Sequence, residues 1–315
     1  MIRYLVLRVG QAIAVLWAAF TVSFAVLYLL PGDPVEVMTA GGMQASTVGP
    51  AQIAALRHQY GLDKPVPVQY WDRLIAALHG DFGQSIANGA NVSGVIGQSL
   101  PQSLVLTLAA LLLAVSSGSV VALLATYTDT PWLRRLLLAL PSVGASVPTF
   151  WVGLMLIELF SFQLRLFPAI GGTGITGLVL PAITLAVPAA AAIAQVLARS
   201  LRDTTTAPYI DTARAKGAGR IRVHLRHALP NATIPALTVL GLLIGDLITN
   251  AVVIETVFSR AGLGRITASA VNARDIPLVQ GVVVLGAAVV VVVNLLVDLI
   301  YPLLDPRIVL TGRPA

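Results

Sequence analysis

Apolar residues gather into six runs of membrane-crossing length, near positions 9–30, 104–126, 136–162, 178–198, 234–257 and 278–303. A span needs roughly 20 predominantly apolar residues. Hydrocarbon offers the backbone no hydrogen-bond partners, so each run predicts a helix. Residues 31–100, between the first two runs, are too polar to span. There the sequence predicts a short helix over 50–60, a turn at Asp63-Lys64-Pro65-Val66-Pro67, and an amphipathic helix near 68–78 ended by Gly80. The longest polar stretch between two runs is 199–231. In it, 209–216 suits a helix and Gly217-Ala218-Gly219 breaks it; 221–229 suits a second helix, stopped by Pro230. Gly217 is expected to take a positive φ. Pro141, Pro148, Pro181 and Pro188 lie inside the third and fourth runs and each removes a backbone donor, so kinks are expected there.

Composition agrees with a membrane chain. It is 57% hydrophobic and 11% charged, with a mean hydropathy of +0.85, where a soluble domain carries about 25% charged residues. The net charge is +6, but the basic residues flank the apolar runs. Orientation across a bilayer accounts for them better than nucleic-acid binding. With six spans both termini share one side. Placing them in the cytoplasm puts Arg3, Arg8, Arg134, Arg135, seven basic residues between Arg199 and Arg226, Arg307 and Arg313 inside. Only Arg165, Arg260, Arg265 and Arg274 then fall in short outer loops. The first apolar core is too long for a signal peptide and reads as an anchor. There is no cysteine, which excludes disulfides and thiolate chemistry.

Two short helices on a basic cytoplasmic loop suit docking of a soluble partner. Asp211, Thr212 and Ala213, then Gly217, then Leu229-Pro230, resemble the EAA loop of permease subunits of bacterial binding-protein-dependent ABC importers. Asp211 and Thr212 replace the family's Glu and first Ala, and His227 stands where Ile is usual; the spacing and the turn glycine are kept. Further ordered stretches are similar to the dipeptide/oligopeptide branch. They are Leu30-Pro31-Gly32-Asp33-Pro34, Tyr60 to Pro65, Gln69-Tyr70, Gly80-Asp81-Phe82-Gly83-Gln84-Ser85, Ser146 to Trp151, Gly262-Leu263-Gly264, Arg274-Asp275-Ile276-Pro277, Asn294 to Asp298 and Asp305-Pro306-Arg307. The resemblance covers nearly the whole chain and points to the B-type permease subunit.

That resemblance implies an all-α, polytopic protein of the bacterial cytoplasmic membrane with the type I ABC importer permease fold. It implies a homologous C-type permease partner, two cytoplasmic ATPase subunits or domains that bind ATP and Mg, and an extracytoplasmic substrate-binding protein. It assigns coupling to the ATPases to Tyr209, Asp211, Thr212, Ala213, Lys216, Gly217, His227, Leu229 and Pro230. The expected organisation is an N-terminus and first span over 1–30, an external helical cap over 31–100, and a five-helix core over 101–308 with its coupling loop at 199–231. A cytoplasmic tail over 309–315 follows. The cargo implied is a short peptide, with nickel, glutathione or sugars as alternatives within the same class.

Other polar residues were weighed one by one. Asp246, Glu255, Asn294 and Asp298 lie in or near the last two spans, where an acid is costly and marks either a transport path or helix packing. Glu158 is read in the same way. If Asp246 and Asp298 bound ions, the chain would be an ion-gradient-driven secondary transporter; a membrane-embedded enzyme is less favoured still, because no nucleophile–base pair is visible. No catalytic residue is expected, and no cofactor in this chain. Asp33, in a Pro-Gly-Asp-Pro turn, is read as fixing the exit of the first span. Gly172-Thr173-Gly174-Ile175-Thr176-Gly177 matches a dinucleotide pattern but lacks the preceding strand, and no phosphate-loop pattern occurs. His224 and His227 share a helix face without a third ligand, so no metal site is expected.

Overall fold

A computed structural model describes residues 2–29, 54, 58, 63–172 and 174–304. The elements are helices α1 (Ile2–Leu29), α2 (Val66–Leu78), α3 (Val92–Tyr127), α4 (Pro131–Ser146) and α5 (Thr149–Leu156). α5 runs on into a π-helical segment, Ile157–Gln163. Then come α6 (Thr176–Thr205), α7 (Pro208–Ala215), α8 (Arg220–Arg222) with a second π segment, Val223–Ala228, and α9 (Leu229–Val257). α10 (Leu263–Asn272) and α11 (Ile276–Leu304) complete the order. Among the described residues, five helices are long and apolar enough to cross a membrane, or six if one bent pair counts as a span.

That bent pair covers the run expected as the third span, and the kink expected at Pro148 is a full break between two helices. α4 and the helix Thr149–Gln163 meet at 103°. Val147 is extended, at φ −91° and ψ 130°, as the residue before a proline tends to be. The Pro148 carbonyl accepts from Trp151 N at 3.0 Å and Val152 N at 3.2 Å, so the new helix starts there. Pro141, Pro181 and Pro188 lie inside unbroken helices.

By internal packing the chain divides into two units, 1–103 with 261–292, and 104–260 with 293–315. In the first, Tyr70 of α2 sits edge-on to Phe20 and Phe24 of α1, with centroids 5.7 and 5.3 Å away, and its hydroxyl shares a 2.9 Å hydrogen bond with Thr21. Pro65 and Pro67 start α2, and Gly80 ends it with φ +76°. The predicted amphipathic helix is therefore present, beginning two residues earlier. The predicted 50–60 helix lies outside the described residues except Ala54 and His58, which are helical; 30–34 and 305–307 lie outside them too.

Asp275, 1% exposed, organises this unit. Its carboxylate accepts from the Ser85 hydroxyl, from Ile86 N at 3.1 Å and from Leu278 N at 3.3 Å. It thus caps α11 and pins the loop before α3. Two motifs recognised separately in the sequence, 80–85 and 274–277, meet at this carboxylate. α3 begins at Val92, so the expected boundary at 100 falls inside a helix. Val92 and Ile96 of that early stretch pack with Leu263, Leu278 and Val282, and this packing carries the helix beyond membrane length.

The second unit is built around α6, whose alanine-rich face is buried. Leu106, Ala110, Leu180, Leu185, Ile193, Leu247 and Ile254 belong to its main core. α3 approaches α6 closely: a Cβ added at Gly118 would lie 2.7 Å from the Ala190 carbonyl oxygen. Backbone cannot step aside as a side-chain tip can, so overpacking is expected. Gly118→Ala should lower stability by about 1–3 kcal/mol, read as a drop in the thermal unfolding midpoint of the detergent-solubilised protein. An unchanged midpoint would show that the two helices have slack at this crossing.

Candidate functional site: the basic loop between α6 and α9

α7 begins at Pro208, where the missing N–H costs nothing. It ends in a complete Schellman motif: Ala218 N donates to Ala213 O at 3.1 Å and Gly217 N to Arg214 O at 2.9 Å. Gly217 has φ +82°, the left-handed conformation that the turn requires and that glycine takes without strain.

The second loop helix differs from expectation. It does not stop at Pro230 but passes through a π segment into α9, giving a continuous run Arg220–Val257. Leu229 N reaches back five residues to His224 O. The wider turn lets the chain pass Pro230, which has no N–H to offer, in the first turn of α9. The His227 carbonyl accepts from the Tyr209 hydroxyl at 3.3 Å and from the Asn231 side-chain amide at 3.3 Å. That amide also donates to the Tyr209 hydroxyl at 3.0 Å. Tyr209 thereby ties α7 to the base of α9.

Beneath the loop, Ile210, Val223 and Ala228 are buried with Ala122 of α3, Leu197 and Leu201 of α6, and Ala232 of α9. Each fully buried aliphatic side chain contributes about 1.5–3 kcal/mol, so the loop is seated firmly. A polar clamp adds direction. The Arg220 guanidinium donates to Asp129 and to the Tyr127 carbonyl and lies 4.5 Å from the Tyr127 ring centroid. That hydrogen bond from Arg220 holds the Asp129 carboxyl below the usual carboxylate range, and Asp129 in turn pushes Arg220 up. His224 is buried, edge-on to Tyr127 with centroids 5.5 Å apart.

Asp211, Thr212, Lys216, Gly217 and Pro230 are exposed, while Ala213, His227 and Leu229 are half-buried. Exposed Tyr209, Ile221 and Leu225 stand among Arg214, Arg222 and Arg226. The outward face is therefore a mixed apolar and basic surface. Arg214 meets Asp211 at 3.2 Å one turn away. Such an exposed pair adds little stability. Arg220, Tyr127 and Asp129 were not singled out in the sequence. The signal was there: Asp129 is the one acid between Asp81 and Glu158, and it flanks a strongly basic loop.

The intramembrane acids do not form one constellation. Glu255 is fully buried, and its charge acts on Arg260 in the turn after α9. Burial pushes the Arg260 guanidinium down and Glu255 opposes that; Arg260 also donates to Gly177 O at 3.1 Å. Asp246 lies nine residues before Glu255, on the opposite face of α9, and is exposed. Asn294 and Asp298 are on α11, and their side chains lie outside the described residues. Glu158, on the first π segment, accepts from the Gln163 side chain at 3.3 Å. His224 and His227 gain no third ligand, and no group of three metal-ligating side chains occurs among the described residues.

Residues 116–310 match the family described as the binding-protein-dependent transport system inner membrane component, and residues 1–107 match the N-terminal region of such membrane components. The chain belongs to this family. It is 36% identical over 313 residues to a protein of Sinorhizobium fredii named probable peptide ABC transporter permease protein y4tP, covering 97% of this chain and 98% of that one. It is 34% identical over 308 residues to the glutathione transport system permease protein GsiC of Salmonella typhimurium, covering 98% and 99%. A solved structure described as an inward-facing conformation of the MetNI methionine ABC transporter superposes with a TM-score of 0.57 at 20% identity, covering 67% of this chain and 96% of that one. An amino acid ABC transporter superposes at 0.51, covering 68% and 94%. These two likenesses establish the type I permease fold. The chain is thus a membrane-spanning permease subunit of an ATP-driven ABC importer, a transport subunit and not an enzyme.

The Arg220–Asp129 pair, exposed and therefore weak, gives the permease loop at most a small acid sensitivity. A carboxyl whose folded pKa is depressed stabilises the fold above its unfolded value, about 4, and loses that contribution as pH falls through the folded value. Hydrogen exchange of residues 208–230 should therefore be flat from neutral pH down to about 5, after correction for intrinsic rates, and rise below about 4. Asp129→Asn should show the raised exchange at every pH. Equal protection in the variant and the parent would remove the clamp from the account.

Proposed function

We propose that this subunit forms half of a translocation path for short peptides, with a homologous C-type permease subunit supplying the other half. Two cytoplasmic ATPase subunits or domains, which carry the ATP and Mg, dock on the loop of α7 and α8. An extracytoplasmic binding protein delivers cargo to the face bearing residues 31–100. Both termini lie in the cytoplasm, on the side of the basic clusters. The coupling residues are Tyr209, Asp211, Thr212, Ala213, Lys216, Gly217, His227, Leu229 and Pro230.

The observation that carries this reading is a loop buried on one side and apolar-basic on the other, joined without interruption to a membrane-crossing helix. The peptide assignment is supported by the name of the Sinorhizobium fredii relative. Glutathione, itself a peptide of γ-linked form, is the second reading, favoured by the similarly close Salmonella relative.

Two outcomes test the proposal. Gly217→Val forces a β-branched residue to φ +82°, at roughly 1–3 kcal/mol of strain, and breaks the turn that presents α7. ATP-dependent peptide uptake should fall sharply while the subunit still inserts and assembles; normal uptake would mean the loop is merely a connector. The purified subunit alone should bind no nucleotide, whereas the full complex hydrolyses ATP faster with loaded binding protein. Saturable ATP binding by the isolated chain would sink the division of labour.

A further inference from the structure

One face of α9 is uncovered from end to end. Asn231, Pro235, Thr238, Leu242, Asp246, Thr249, Val253 and Thr256 are all exposed, at the three- and four-residue spacing of a single helical stripe. The opposite side, with Ala232, Ala236, Leu247, Ala251 and Ile254, is in the core. The exposed stripe is mostly polar on an otherwise aliphatic helix. The exposed side of α1 is different in kind: Leu7, Val9, Ile13, Val15, Val22 and Val26 suit lipid.

The threonines of the α9 stripe can be reconciled with any apolar surroundings. Thr249 and Thr256 return their hydroxyls to Gly245 O and Val252 O, at 3.0 and 2.9 Å. Asp246 cannot. Its backbone carbonyl takes the Asn250 amide at 3.0 Å, but no donor or cation among the described residues reaches its carboxylate. It is also the one acid among the described residues that sits midway along a helix of membrane-crossing length with its side chain uncovered. Lipid would leave that carboxylate without a partner, at high cost. An uncovered acid here belongs against water or against a cation that passes through.

We infer that Asp246 is a cation-selecting residue of the translocation path, and that α9 turns its polar stripe to the water-filled lumen. The stripe takes cargo bearing an ammonium group, such as the free amino terminus or a basic side chain of a short peptide. This rests on the proposed permease role and adds to it a specific chemical preference. A wide lumen with one fixed acid holds cargo weakly and by charge. It favours cationic over N-acetylated, uncharged cargo without recognising side-chain shape.

Two measurements on the fully assembled transporter in proteoliposomes test it. Uptake of a cationic peptide and of its neutral N-acetylated form is measured with one saturating binding protein. The ratio of variant to parent is taken for each cargo, which cancels the binding protein's own preference. Asp246→Asn should cut the ratio for the cationic cargo about tenfold, the scale of losing one hydrogen bond to a charged group, and leave the neutral cargo near unity. Asp246→Glu should restore the cationic cargo. A loss equal for both cargoes would assign Asp246 to a contact with the partner subunit and overturn the proposal, as would no loss for either. The permease reading fails separately, if parental uptake does not need ATP. In the second measurement cysteines are placed singly in this cysteine-free chain. A membrane-impermeant maleimide should label Asp246→Cys and Thr249→Cys in at least one nucleotide state, and should spare Ile13→Cys on the apolar face of α1. Labelling confined to Ile13→Cys, or absent from both stripe positions in every state, would remove α9 from the lumen.

Discussion

A backbone crossing hydrocarbon must satisfy its own hydrogen bonds, since the solvent offers none. Everything distinctive in this chain is a response to that requirement. Long helices satisfy it by default. The informative places are those where the ladder has to change. Pro148 leaves a donor missing after an extended Val147, and the chain answers by ending one helix and starting another at 103°. Pro230 leaves the same kind of gap, and the chain answers by widening a turn so that Leu229 N can reach His224 O. The first answer reverses direction; the second preserves it. The basic loop therefore joins α9 as one continuous helical run.

That continuity gives the loop its mechanical meaning. Its buried residues, Ile210 and Val223, hold it against α3, α6 and α9 through one cluster. Its polar contacts, from Tyr209 to His227 and from Arg220 to Asp129, hold its orientation. The division of labour follows from exposure. Aliphatic burial supplies the stability, while exposed charge pairs are weak in energy and serve to fix geometry. A surface that must be pushed without unfolding needs both, because burial alone tolerates sliding and charge alone yields to water.

Much of this was legible in the residues, and the failures have common causes. The apolar runs, the α2 helix, the helix–glycine–helix loop and the left-handed Gly217 all follow from local pattern and local stereochemistry. A kink at Pro148 was legible, but neither its size nor the passage through Pro230 follows, because what a proline does depends on whether the preceding turn can widen. Nor could the pairing of Ser85 with Asp275 be read from spacing, since those residues are 190 positions apart. Nor was the meeting of Glu255 with Arg260 legible, since Arg260 lies beyond the end of the span. The turn folds it back, and desolvation makes the two sense each other. The residues proposed to couple were legible as a motif. Their anchors Tyr127, Asp129 and Ile210 were not, since anchoring is a property of the packed state.

α9 is where these threads join. Its base carries the basic loop, one side is the core, and the other is the uncovered polar stripe. Glu255 and Asp246 show how sharply the two sides differ. Both are acids on one helix in one membrane; one is fully enclosed beside an arginine, the other faces outward. With a rise of 1.5 Å per residue, the 26 positions from Arg220 to Asp246 span about 39 Å. No break interrupts them; the departures from the α-helical ladder are the π segment near the base and Pro235, which has no N–H to donate inside α9. A displacement imposed at the loop therefore has a stiff connection to the stripe. The buried face of α9 is packed in the core through Leu247, Ala251 and Ile254. If the proposed docking and path roles hold, one helix would link the loop to the acid midway along it.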